Sequence, residues 1–182
     1  MIYHGENPHG KQFNHPVWLS QFQGDYMPTY QLNIDGAIKS VDVPADQPLL
    51  YTLTDQLKMK GPKFGCGLAQ CGSCTVIING NAVRSCVMPT STVANSKIRT
   101  LDGLEKNGQL HPMQTAFVEE GAAQCGYCTN GWIMQSIALL ENNPKASDDQ
   151  IINGLSNVQC RCGTQIDILR AVKKARDQMA KA

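Results

Sequence analysis

The eight cysteines of this 182-residue chain fall into two quartets, and their spacing limits what the chain can fold into more than any other feature. "KFGCGLAQCGSC" carries Cys66, Cys71 and Cys74 as C-x4-C-x2-C, and Cys86 follows after eleven more residues. "QCGYC" carries Cys125 and Cys128, and "CRC", 31 residues further on, carries Cys160 and Cys162. A disulfide framework fits poorly. The chain is longer than disulfide-dense secreted domains, and its start, "MIYHGENPHGKQF", does not read as a secretory signal. A bridge from Cys160 to Cys162 would also close a tiny, strained ring. Thiols spaced like this point to metal centres.

The first quartet has the spacing of a plant-type ferredoxin [2Fe–2S] site. Four thiolates, two ferric ions and two sulfides sum to a formal charge of about −2, so the surrounding chain must offer donors rather than acceptors. Gly65, Gly67 and Gly72 allow the tight folding that turns backbone N–H groups toward sulfur. No Asp or Glu occurs from Gly61 to Asn79, and Lys63 lies close. A structural zinc site is the alternative, although zinc sites usually pair two C-x2-C knuckles. In the second quartet, Cys125 and Cys128 are one helical turn apart, and Cys160 and Cys162 flank Arg161 before Gly163. Its loops are also free of acids, but spacing alone leaves zinc open there. Two acid-free quartets in one chain favour a pair of clusters. Such a pair is a wire, because each centre moves one electron and neither carries a substrate site.

Composition supports a packed globular chain and excludes some partners. Hydrophobic residues make up 42%, enough for a core, and the formal net charge of +1 gives no sign of nucleic-acid binding. No apolar run approaches the roughly 18 residues of a membrane helix. The expected location is cytoplasmic, or associated with membrane or periplasm through partner subunits.

Residues 30–43 alternate apolar and polar around Asp35-Gly36, and "TVIINGNAV" turns on Asn79-Gly80; both predict β-hairpins. Between them, "LLYTLTDQLKMK" predicts an amphipathic helix with Leu50, Leu53 and Leu57 on one face. "KIRTL" predicts a short strand, and residues 101–110 a linker. From His111 the pattern is helical. "HPMQTAFVEEG" starts with Pro112 and stops at Gly121; Ile133, Ile137 and Leu140 share a face; Ser147 and Gln150 suggest a capping box; and Ile166, Leu169 and Val172 are expected to face inward. Tyr127 and Trp132, beside the second quartet, read as packing residues. Residues 1–29 show no period but hold Tyr3, Phe13, Trp18, Phe22 and Tyr26, which predicts an arm ordered on a partner. His4, His9 and His15 in it read as surface histidines.

With both quartets placed, the chain resembles the small iron–sulfur subunit of the molybdenum hydroxylases, the xanthine dehydrogenase and aldehyde oxidoreductase superfamily. The resemblance covers about residues 30–178 and rests on "GPKFGCGLAQCGSCTV" with Cys86, on "QCGYCTNG" and on "CRCGT". Within the family these segments are most similar to nicotinate dehydrogenase and isoquinoline oxidoreductase small subunits. The resemblance implies an α+β fold: a ferredoxin-like β-grasp domain over residues 30–105, then an all-α four-helix bundle over 106–182. It implies two [2Fe–2S] clusters, a proximal one on Cys125, Cys128, Cys160 and Cys162 and a distal one on Cys66, Cys71, Cys74 and Cys86. It implies a separate large subunit holding molybdopterin, often as the cytosine dinucleotide, with Gln124 and Cys162 nearest the pterin.

An N-heteroaromatic substrate such as nicotinate is expected from the same likeness, with an aldehyde as the alternative. The external acceptor is expected to be a cytochrome c subunit or domain, an FAD subunit being the alternative. A free two-cluster ferredoxin and a zinc-stabilised module remain as readings of a different class. Two positions depart from the family pattern. Asn130 stands where Pro is common, and "NVQC" replaces Gly-Asn-Leu or Gly-Asn-Ile. Both are expected on the surface that faces the cofactor.

Overall fold

Alternating apolar residues set the first layer. In β1 (Thr29–Ile34) Leu32 and Ile34 are buried while Gln31 is exposed. The chain then reverses at Asp35 and Gly36, both at positive φ (53° and 87°), into β2 (Ala37–Asp42). Successive left-handed residues are what a two-residue hairpin needs, and Asp-Gly tolerates them. A second hairpin joins β3 (Thr75–Ile78) to β4 (Asn81–Arg84) through Asn79 and Gly80, again both at positive φ. With β5 (Lys97–Arg99) these strands form one mixed sheet in the order β2-β1-β5-β3-β4. The β1–β5 pair is parallel and the others are antiparallel. The protein is described by a computed structural model over residues 27–180, so the aromatic arm expected over residues 1–29 lies outside the described residues up to position 26.

One expected element takes a different form. "LLYTLTDQLKMK" is helical only as α1 (Leu49–Tyr51) and a following π-helical turn, Thr52–Gln56. The Thr54 hydroxyl donates back to the Leu50 carbonyl at 3.0 Å, and Thr52 Oγ1 lies 2.7 Å from Thr90 Oγ1 in the interior. Hydroxyls bonded this way compete with a regular helix. The Leu57 amide reaches the Thr52 carbonyl across a wide turn, and Lys58 at φ 55° ends the segment. Leu50 and Leu53 are buried as the spacing predicts.

Four helices follow: α2 (Pro112–Glu119), α3 (Thr129–Asn142), α4 (Asp148–Leu155) and α5 (Gln165–Met179). Pro112 opens α2 and Gly121 at φ 57° follows it, as predicted. Ser147 and Gln150 form the expected reciprocal cap on α4. The sequence did not reveal that His111 caps α2 in the same way: its Nδ1 accepts from the Met113 amide while Gln114 accepts from the His111 amide. The inward stripe of α5 is Ile168, Ala171, Val172 and Ala175, spaced i, i+3, i+4, i+7. Ile166, expected inward, is 66% exposed, and Leu169 is half-buried. A stripe drawn through every third residue drifts off a helix face, which corrects that reading.

The two halves share β3. Val76 and Ile78 point into the core under the sheet, whereas Ile77 points the other way and joins the helical core. A strand covered on both faces needs a continuous apolar run, and "TVII" supplies it. Helix α3 lies against this strand. Its Gly131 is so close that a Cβ there would sit 2.3 Å from the Gly72 carbonyl oxygen. Replacing Gly131 with Ala is expected to destabilise the fold by about 1–3 kcal/mol through overpacking. A lowered urea midpoint in equilibrium unfolding would show this; an unchanged midpoint would mean the helix can move away freely.

Candidate metal centres

Thiols of the first quartet sit in a loop whose backbone turns inward. The amides of Leu68, Gln70 and Cys71 lie 3.3, 3.2 and 3.3 Å from Cys66 Sγ, and the Cys66 amide lies 3.4 Å from Cys71 Sγ. Gly67 and Gly72 adopt φ 67° and 83°, and a Cβ on Gly65 would stand 2.6 Å from Cys71 Sγ. Glycine is therefore required by conformation at two positions and by sulfur at a third. Cys74 and Cys86 are buried with Leu50 behind the loop.

The second quartet is nearer the surface. Cys125 is exposed, and Cys128, Cys160 and Cys162 are half-buried. The first pair sits just before α3 and the second just before α5, so two helix starts bring the pairs together. Gly126 and Gly163 at positive φ make the turns. Thr164 Oγ1 lies 3.1 Å from Cys160 Sγ. Gln124 is exposed at the outer edge of this quartet.

Side-chain contacts join the thiols in twos: Cys66 with Cys71, Cys74 with Cys86, Cys125 with Cys162, and Cys128 with Cys160. Among the described residues, no three or more His, Cys, Asp or Glu side chains are placed to hold a single metal ion. Four thiols per quartet supply the two protein ligands that each iron of a [2Fe–2S] centre takes. Inward N–H donors suit an anionic centre, and the residues fit a [2Fe–2S] cluster on both counts.

Both quartets open on one cleft of about 810 Å³. Cys66 and Cys71 line it from one side, and Cys125, Cys128 and Cys160 from the other. Its remaining lining is apolar, amide and hydroxyl side chains with Arg161, and includes no carboxylate. The loops are tied across the cleft. Gln159, next to Cys160, donates its amide to the Cys71 carbonyl at 3.0 Å. Tyr127, between Cys125 and Cys128, donates its hydroxyl to the Phe64 carbonyl at 2.6 Å. Asn130 donates to the carbonyls of Ser73 and Thr75 at 2.8 and 3.0 Å.

These ties correct two sequence-based expectations. Asn130 is only 2% exposed and faces the first cysteine loop, not an outer surface. Val158 of "NVQC" is buried against Gly72. Asn130 and Val158 therefore lie between the quartets, whereas Asn157 and Gln159 of "NVQC" are exposed as expected. Tyr127 is half exposed and acts as a clasp rather than as packing, while Trp132 is buried in the helical core as expected. The spacing of the cysteines carried no signal for either contact, because each depends on which loop lies opposite.

The family model described as 2Fe-2S iron-sulfur cluster binding domain matches residues 32–107, and the one described as [2Fe-2S] binding domain matches residues 100–173. One of the nicotinate dehydrogenase subunits of Pseudomonas putida is 50% identical over 153 residues, 84% of this chain and 98% of the relative. The alpha subunit of isoquinoline 1-oxidoreductase from Brevundimonas diminuta is 48% identical, over 76% of this chain and 93% of its own length. Among solved structures, a chain of quinoline 2-oxidoreductase from Pseudomonas putida 86 superposes with a TM-score of 0.81 at 28% identity, covering 86% of this chain and 98% of that one. Aldehyde oxidoreductase from Desulfovibrio gigas gives 0.81 at 33% identity, over 85% of this chain and 17% of that one.

The thiols differ in acidity when no metal is bound. Partial burial raises Cys66, but the amides of Leu68, Cys71 and Gln70 outweigh it and bring its pKa down to about 7. Partial burial likewise raises Cys160, and Thr164 with the Cys128 thiol brings it down to about 7. Burial pushes Cys74 up to about 11, and burial with the Cys160 thiol pushes Cys128 up to about 12. At about pH 8 the first two are mostly thiolate, and the last two are ionised to at most about one part in a thousand. In metal-free protein, iodoacetamide is expected to label Cys66 and Cys160, with the exposed Cys125, ahead of Cys74 and Cys128. The rate at Cys66 and Cys160 should level off above neutral pH while that at Cys74 and Cys128 keeps rising. Peptide mass spectrometry reads the order, and equal rates at all four would contradict it.

Proposed function

The chain belongs to the family of [2Fe–2S] small subunits of the molybdenum hydroxylases, within an oxidoreductase complex, and from that premise we propose that it carries electrons from a molybdopterin site in a large partner subunit to an external acceptor. The observation that carries the reading is the single cleft onto which both thiol quartets open, with the Cys71–Gln159 hydrogen bond running between them. The lining of the cleft carries no carboxylate, which suits an anionic centre on either side of it.

Cys125, Cys128, Cys160 and Cys162 would hold the proximal cluster, and Cys66, Cys71, Cys74 and Cys86 the distal one. When bound, the two clusters supply one-electron redox chemistry. The chain's own residues hold the thiols in pairs, point N–H groups at them and fix the two loops against each other. Residues 30–105 form the ferredoxin-like β-grasp unit in this reading, and residues 106–182 a four-helix bundle around the proximal site. The sheet with its cysteine loop supports the first assignment, and α2 to α5 support the second. Gln124 and Cys162 are the residues nearest the pterin, carried as its cytosine dinucleotide; the exposure of Gln124 at the rim of the second quartet suits such a contact.

The substrate of the complex is an N-heteroaromatic such as nicotinate, by likeness to the Pseudomonas putida and Brevundimonas diminuta relatives. The acceptor is a cytochrome c, an FAD subunit being the second possibility. An aldehyde substrate is supported by less similar relatives, among them an aldehyde oxidoreductase iron-sulfur-binding subunit of Escherichia coli at 35% identity over 79% of this chain and the Desulfovibrio gigas structure. No helix among the described residues is long and apolar enough to cross a membrane. In this reading the complex works in the cytoplasm, or at the membrane or periplasm through its partners.

EPR of the dithionite-reduced chain, with iron and labile sulfide counted on the same sample, tests the reading. Two distinguishable [2Fe–2S] signals with about four iron and four sulfide per chain are expected. One signal with zinc in the second quartet would overturn it. Gln124→Ala is expected to keep both signals and to slow reduction of the clusters by the large subunit roughly tenfold or more. An unchanged rate with unchanged pterin retention would remove Gln124 from the electron path.

A further inference from the structure

Arg84 ends β4, two residues before Cys86, and its guanidinium reaches three parts of the molecule at once. Nη1 donates to Thr75 Oγ1 at 2.5 Å and to Gln135 Oε1 on α3 at 2.9 Å. Nη2 donates to the Asn157 carbonyl at 3.3 Å, three residues before Cys160. A Cβ on Gly72, between Cys71 and Cys74, would lie 3.4 Å from the same Nη2. The group therefore sits where the first cysteine loop, the second cysteine loop and α3 converge. All three hydrogen-bond acceptors are neutral. Among the described residues, ion pairs are made by Arg99, Arg170, Lys173, Lys174 and Arg176, and Arg84 takes part in none.

A guanidinium stays charged under all ordinary conditions, and a partly buried charge without a counter-ion is costly. The acid-free loops deny it a carboxylate. The anions that remain are the two centres, each formally about −2 when oxidised and one unit more negative when reduced. We propose that Arg84 is a charge-compensating residue held between the two centres, and that it raises the reduction potential of both. It ligates no metal and touches no substrate; it acts through the field at the thiolates. Arg161, by contrast, is exposed, where solvent and salt screen it.

The inference rests on the two-cluster reading, and the test separates the two. In the full chain with its large subunit, EPR-monitored redox titration gives both midpoints, and iron and sulfide counts give cluster content. Arg84→Gln keeps amide hydrogen bonding and removes the charge. At a fixed ambient potential, the reduced-to-oxidised ratio of each cluster is expected to fall by about tenfold, or about 59 mV in midpoint for one electron. Arg84→Lys is expected to stay close to wild type. Gln135→Glu offers a second route that leaves Arg84 in place. It sets a carboxylate against the guanidinium, and both midpoints are expected to fall again. Full cluster content with unmoved midpoints, in either Arg84→Gln or Gln135→Glu, overturns the role of Arg84. So does an Arg84→Lys protein whose midpoints fall as far as those of Arg84→Gln. Absence of two [2Fe–2S] signals in the unsubstituted chain overturns the electron-transfer reading instead.

Discussion

The close approach of α3 to the first cysteine loop is the constraint on which the rest depends. Gly131 meets the Gly72 carbonyl at a distance that no side chain would allow, and Asn130 closes the contact with bonds to Ser73 and Thr75. Cys128 is the residue that opens α3, so the helix that packs on the sheet also positions half of the second quartet. Everything between the two sets of thiols follows from that seating. The Tyr127 clasp, the Gln159–Cys71 bond and the Arg84 bridge all cross the same seam. A side chain at position 131 would push the helix outward and lengthen each of them together.

Much of this is legible in the amino-acid order. Asp35-Gly36 and Asn79-Gly80 announce hairpins because few other dipeptides accept two left-handed residues in succession. The cysteine spacing announces its chemistry because thiols have few reasons to cluster in a chain without disulfides. What cannot be read there depends on contacts distant in sequence. Thr52 interrupts a regular helix because Thr90, far along the chain, meets its hydroxyl. Asn130 reads as a surface residue because nothing in "QCGYCTNG" says that the Ser73 and Thr75 carbonyls lie opposite. Ile166 misleads for a simpler reason: three-residue spacing is a poor substitute for the full i, i+3, i+4, i+7 pattern, which Ile168, Ala171, Val172 and Ala175 satisfy.

Electrostatics unites the two loops more than shape does. Each offers backbone or hydroxyl donors to sulfur, and each lacks acids over the stretch that bears its thiols. The spread of thiol acidity, from about 7 at Cys66 and Cys160 to about 12 at Cys128, reflects the balance between burial, which raises each thiol, and the donors that reach it. Well-supplied sulfurs are ready ligands. Buried ones such as Cys74 become thiolates only when a cation compensates them.

Strand β3 belongs to two cores, and this bears on how the chain is made. The sheet half is complete in sequence by Arg99, but Ile77 has no cover until the helices that bury it have been synthesised. A growing chain therefore exposes an apolar stripe beside its first set of thiols while the last third is still on the ribosome. Until the helices dock, that stripe is open to association with other chains.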